Sequence, residues 1–160
     1  MTYSFNRNQI DILNRLVFDA DIECDVFQNL IVEDSSIKFN IERLEFENVQ
    51  RSRFLLWTST RLDSKMSLLE FKNVKDFQIE KCKYPDTCDC SILQIKSDDT
   101  AQIKLVTTIG PTLVVNFQND ISILLTDIGE SDRQSGSLFG TKGFTKEEWN
   151  TYLKQHKYTT

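Results

Sequence analysis

Residues 18–26 read Phe-Asp-Ala-Asp-Ile-Glu-Cys-Asp-Val, small or apolar side chains alternating strictly with carboxylates. A β-strand repeats its side-chain direction every two residues. The stretch therefore predicts a strand with Phe18, Ala20, Ile22, Cys24 and Val26 facing inward and Asp19, Asp21, Glu23 and Asp25 facing out. Four carboxylates in one row repel one another. They need cationic neighbours, a metal or a basic partner.

A metal is the poorer answer. Asp19-x-Asp21-x-Glu23 matches the start of a calcium loop, but such loops need glycine at the sixth position and a carboxylate at the twelfth. Here those places hold Cys24 and Leu30. On an extended strand, alternate carboxylates lie about 7 Å apart, long for one ion.

Outward from this strand the chain is rich in further strands. Ile37, Phe39 and Ile41 alternate with polar residues, and Leu44 and Phe46 continue in the opposite phase. That slip predicts a bulge or turn near Glu42–Arg43. Residues 53–59 read as a buried strand, 61–65 as a polar turn. Strands at 68–71 and 77–79 flank Lys72-Asn73-Val74-Lys75, and further strands cover 91–96, 102–106, 112–117 and 122–126. Gly110-Pro111 and Asn119-Asp120 are turn signals. Even spacing without intervening helices predicts antiparallel pairing, as a sandwich or a barrel.

Two helices frame this pattern. Asn6 to Leu16 predicts a short helix with Asn6 as cap and Gln9 completing a capping box. Residues 127–143, poor in large apolar side chains and holding Gly129, Gly136, Gly140 and Gly143, read as a flexible linker. Thr145-Lys-Glu-Glu148 is a second capping box, and Trp149, Tyr152, Leu153 and His156 form an amphipathic stripe. The fold class is thus α+β, mainly β: an antiparallel sheet with a short N-terminal helix and a C-terminal amphipathic helix. The expected organisation is a strand-rich domain over 1–126, the linker over 127–143, and a helix over 144–160 docked on the same domain.

Charge and composition narrow the function. Residues 17–49 hold nine acids against Lys38 and Arg43, so this fifth of the chain carries more than the whole net charge of −5. Such a face repels nucleic acid and suits a basic protein partner. No apolar run approaches the ~20 residues that span a bilayer, and the first residues lack an apolar signal core. The expected location is cytoplasmic, with no membrane partner. Cys82, Cys88 and Cys90 form Cys-x5-Cys-x-Cys, without the paired knuckles of a zinc site. Free thiols fit a reducing compartment; a disulfide or a metal site stays open. His156 is the sole histidine, and no glycine-rich phosphate loop or nucleophile elbow is present. Neither catalytic residues, a cofactor nor a metal is expected.

Two elements carry a resemblance. Phe18-Asp19-Ala20-Asp21-Ile22 resembles a His-Asp-Ala-x-Ile element, with phenylalanine in place of histidine. Residues 71–79, Phe-Lys-Asn-Val-Lys-Asp-Phe-Gln-Ile, resemble a Phe-x-x-Val-x-x-Phe/Leu-x-Ile element. Both belong to a strand-rich group of small bacterial immunity proteins of polymorphic-toxin systems. The resemblance implies a non-catalytic inhibitor that binds and blocks a toxin, with Asp19 as the motif residue carried over. The leading expectation is accordingly an immunity-type module that docks a basic partner through Asp19, Asp21, Glu23 and Asp25. The alternatives are a small-ligand-binding or enzymatic β-fold, and a structural or assembly protein of a phage or secretion system.

Overall fold

Two long strands organise the chain. A computed structural model describes residues 1–23, 27, 30–54, 57–80, 89–98, 101–137, 143–156 and 158. In chain order the strands are β1 (Thr2–Phe5), β2 (Asp21–Glu23), β3 (Ile31–Glu33), β4 (Ser36–Leu44), β5 (Gln50–Phe54), β6 (Trp57–Glu80), β7 (Asp89–Ser97), β8 (Gln102–Thr107) and β9 (Thr112–Ser137). A 3-10 turn (Arg7–Gln9) leads into α1 (Ile10–Val17), and α2 (Lys146–Gln155) follows β9. No helix among the described residues is long and apolar enough to cross a membrane.

β6 and β9 run antiparallel over nearly their whole length, from Thr60↔Ser137 to Glu80↔Thr112. β9 pairs β8, β8 pairs β7, β7 pairs β2, β2 pairs β4, and β4 returns to β6. The sheet is therefore a closed antiparallel barrel, which resolves the sandwich-or-barrel alternative. β1 adds to β9, β5 to β6 and β3 to β4 as extra strands. Ile37, Phe39, Leu69, Phe71, Leu113 and Ile123 belong to the continuous core inside the ring.

The bend that lets two long strands wrap a barrel sits where turn signals occur in both. Lys72 pairs Ser122 and Val74 pairs Phe117, so Asn73 stands opposite residues 118–121. Asn73 is left-handed, at φ 58°. Bulges bend a strand and increase its twist. Neither Lys72–Lys75 nor Asn119-Asp120 is a turn between strands; together they make one corner within a ladder.

Other boundaries also move. The polar run 61–65 is strand, and the predicted buried strand 53–59 is split between the end of β5 and the start of β6. The expected linker is strand as far as Ser137, because residues 60–67 of β6 supply a backbone partner, and a ladder needs no large side chains. Its last residues before Gly143 lie outside the described set.

β4 runs without the expected bulge. Its inward row continues Ile37, Phe39, Ile41, Arg43, while Leu44 faces a satellite cluster with Val49 and Leu62. An arginine holds a core position there because ionic partners surround it. Its side chain is fully buried, and its Nη1 and Nη2 donate to the two Glu47 carboxylate oxygens at 3.0 and 2.7 Å. Nη2 also donates to Asp127 at 2.8 Å, and Nε to Ser67 Oγ at 3.2 Å. Burial opposes the charge on Arg43, but Glu47 and Asp127 outweigh it and raise its pKa above the ordinary guanidinium value.

Both caps form. Asn6 and Gln9 make their reciprocal bonds at the 3-10 turn. Thr145 Oγ1 accepts from the Glu148 amide, and the Thr145 amide donates to the Glu148 carboxylate. Trp149 and Leu153 of α2 enter the main core, and beyond the helix Tyr158 accepts a hydrogen bond from the Ser4 amide at 2.9 Å. α1 packs on β7 and β4. Its Asn14 side chain acts as a substitute peptide group: Nδ2 donates to Ile95 O at 2.7 Å, and Oδ1 accepts from Ile95 N at 2.6 Å.

Candidate functional site

The sharp turn between α1 and β2 builds the site. Asp19 adopts φ 58°, a left-handed conformation that β-branched residues avoid and aspartate tolerates. Two backbone bonds pin the turn to β7: Asp19 N to Ile92 O at 3.0 Å and Ile92 N to Ala20 O at 2.8 Å. Ala20 is thereby buried and Phe18 is thrust outward, 52% exposed. The inward face predicted for Phe18 fails for this reason. The strand begins only at Asp21, and the reversal before it turns the ring to the outside.

Phe18 lines a groove of about 790 Å³. α1 contributes Asp11, Asn14 and Arg15; the segment leaving β4 contributes Leu44 and Phe46; β7 contributes Leu93 and Gln94. Phe144, Tyr152 and His156 form the wall on the α2 side. That wall is an aromatic stack, with centroids 5.1 Å apart for Phe144–Tyr152, 5.4 Å for Trp149–Tyr152 and 4.1 Å for Tyr152–His156. Phe46 is held to Phe144 by a backbone bond of 2.7 Å and lies 6.4 Å from the Phe18 ring.

Of the four acidic residues singled out by the sequence, the described structure places the side chains of Asp19 and Asp21 and the backbone of Glu23. Asp19 is in the turn and lines the groove. Asp21 is on β2, accepting from Ser91 Oγ at 2.8 Å. Glu23 ends β2, and Asp25 lies outside the described residues, as do Cys24, Cys82 and Cys88. Cys90 pairs with Ile22 in the β2–β7 ladder.

Part of the local excess of acids in the sequence is matched in space. Glu45 meets Lys65 at 2.8 Å, Glu33 meets Lys38 at 3.5 Å, Glu47 meets Arg43, and Glu42 accepts from Ser131. The hydrogen bond to Glu45 raises the Lys65 pKa. Among the described residues no three His, Cys, Asp or Glu side chains are placed to share a metal ion. The sole histidine lies against Tyr152, its Nδ1 2.9 Å from the Tyr152 carbonyl.

Sequence reasoning missed the groove itself. Arg15, Phe46, Leu93 and Phe144 come from four separate segments with no shared motif. The phase of Phe18 was misleading, since one left-handed residue reverses it. The ionic cluster at Arg43 had a signal: the i, i+2 row from Ile37 ends on Arg43, and Glu47 stands four residues on.

Comparison of the chain with protein-family models, with curated proteins and with solved structures found no match. The protein is a closed, side-chain-filled antiparallel barrel with an aromatic groove on its flank.

Proposed function

We propose that this protein is a non-catalytic protein-binding module of immunity type, which captures a basic partner at the Phe18–Asp19 turn and blocks it by occupancy and charge. The observation that carries the reading is an exposed aromatic at the tip of a pinned, left-handed turn, beside the half-exposed Leu93. Large rigid side chains exposed on a fixed backbone lose little freedom on binding, and such residues dominate interface energies. Asp19 and Asp11 flank the apolar surface and supply the negative potential that steers a basic partner. On this reading the acidic contact is made at the groove by Asp19 and Asp11.

Asp19, not Asp21, is the residue to change, because Asp21 is tied to Ser91 within the sheet. The test is affinity for the product of the adjacent reading frame, measured by calorimetry at two salt concentrations. Phe18→Ala should weaken binding at least tenfold, and Asp19→Lys should weaken it and flatten its salt dependence. Unchanged affinity in both variants, or no binding by the parent, would sink the reading.

The volume of the groove favours one alternative, since clefts of roughly 300–1,000 Å³ hold small ligands. A rise in melting temperature with one member of a metabolite panel, abolished by Phe46→Ala, would replace the docking reading with that one.

A further inference from the structure

About half of the lysines and arginines described on this protein are held in ion pairs. Lys38 meets Glu70, Arg51 meets Glu148, Arg61 meets Asp63, and Lys104 meets Glu80. In the groove, opposite charges that could pair with each other do not. Asp11 precedes Arg15 by one helical turn, a spacing at which opposite charges stabilise a helix by pairing. Yet among the described residues no ion pair includes Asp11, Arg15 or Asp19. The guanidinium turns to the aromatic wall instead. Its central carbon lies 5.0 Å from the Tyr152 ring centroid and 5.8 Å from that of Phe144, and Nε donates to Tyr152 Oη at 2.9 Å.

This arrangement fixes an arginine without using most of its donors. Nε–H is one of five N–H groups, and the two terminal nitrogens carry the other four. Among the described residues neither terminal nitrogen makes a hydrogen bond. A guanidinium positioned by ring contacts and one bond has less freedom to lose on meeting a second ligand. The group its planar fork fits best is a carboxylate held by two parallel bonds.

We infer that the groove recognises a partner segment in which an acidic residue adjoins a bulky apolar one, with Arg15 as the carboxylate receptor. The inference rests on the docking reading above and specifies what the docked segment carries. The apolar side chain lies among Phe18, Phe46 and Leu93, and the acidic side chain meets the terminal nitrogens of Arg15. A basic residue on the other side of the apolar one meets Asp19.

N-acetylphenylalanine, an aromatic carboxylate, and its neutral amide are the probes, titrated at neutral pH and followed by NMR at the Arg15 Nε–H and the Phe18 amide. The acid should bind at least fivefold more tightly than the amide. Arg15→Lys, which keeps the charge but loses the fork, should remove that preference while leaving the circular dichroism spectrum unchanged. Equal affinity of acid and amide, or a preference that survives Arg15→Lys, overturns the inference. In the complex with the basic partner, Arg15→Lys should weaken binding at least fivefold. A partner that binds Arg15→Lys as tightly as the parent, yet is lost with Phe18→Ala, overturns the carboxylate contact and leaves the docking reading standing.

Discussion

Replacing Arg43 by methionine removes the charge from the core while keeping most of the side-chain volume, so electrostatics rather than a cavity sets the outcome. Arg43 is fully buried, and the Glu47 and Asp127 side chains are each only 8% exposed. The substitution strands both carboxylates next to each other without their cation. Breaking a buried ionic cluster from one side costs about 3–5 kcal/mol, a large share of the ~5–15 kcal/mol that holds a domain together. With a urea slope of about 2 kcal/mol/M, the unfolding midpoint should fall by about 2 M. Fluorescence of the buried Trp149 at pH 7 is a suitable readout. The cluster need not be better than an apolar core, so Arg43→Met/Glu47→Leu/Asp127→Asn should regain most of the loss. A single variant within about 0.5 kcal/mol of the parent, well inside the range above, would refute the reasoning. So would a triple variant no more stable than the single one.

The same cluster sets an acid limit. Burial raises the Asp127 pKa, but the Arg43 charge and hydrogen bonds from Arg43 and Ser67 outweigh it, and the net effect is a carboxyl held below its ordinary 3.8. A lowered folded-state pKa stabilises at pH values above the unfolded one and is lost as pH falls through the folded one. Stability from this group should therefore be complete at neutral pH and decline below about pH 4; an equally steep acid decline in Asp127→Asn would contradict this. In the β3–β4 hairpin Asp34 and Ser35 both have positive φ, at 45° and 62°. Ser35→Gly should raise stability by about 1 kcal/mol by relieving that conformation, and a lower melting temperature would count against it. Asn14→Ala should cost about 2 kcal/mol by leaving the Ile95 amide and carbonyl unpaired; hydrogen exchange should accelerate at Ile95, and an unchanged rate there would show that water replaces the side chain.

What the sequence discloses depends on how local the cause is. The two capping boxes, the helices behind them and the antiparallel character of the strands follow from patterns a few residues long. The barrel corner was half legible: both turn signals were visible, but only the pairing of Lys72 with Ser122 shows that they face each other. Residues 127–137 were misread because their pairing comes from β6, 60 to 77 residues earlier, and leaves no trace in their own composition. The acidic stretch was legible only in part. Its period of two was real, but one left-handed residue at Asp19 turned Phe18 outward, and bonds from other strands absorbed neighbouring carboxylates. The groove depends on four distant segments meeting, and no one of them announces it.

The β6–β9 ladder also bears on how the protein is made. β6 is complete at residue 80, but its long partner is not complete until residue 137. Synthesis at about 5–20 residues per second leaves one edge of β6 open for roughly 3–10 s. β1, the first strand made, waits longer, since its partners are residues 123–126. The ring cannot close one stave at a time from the N-terminus. It closes in a late step dominated by contacts distant in sequence, the regime in which folding is slow and a nascent chain with open strand edges depends most on protection from its neighbours.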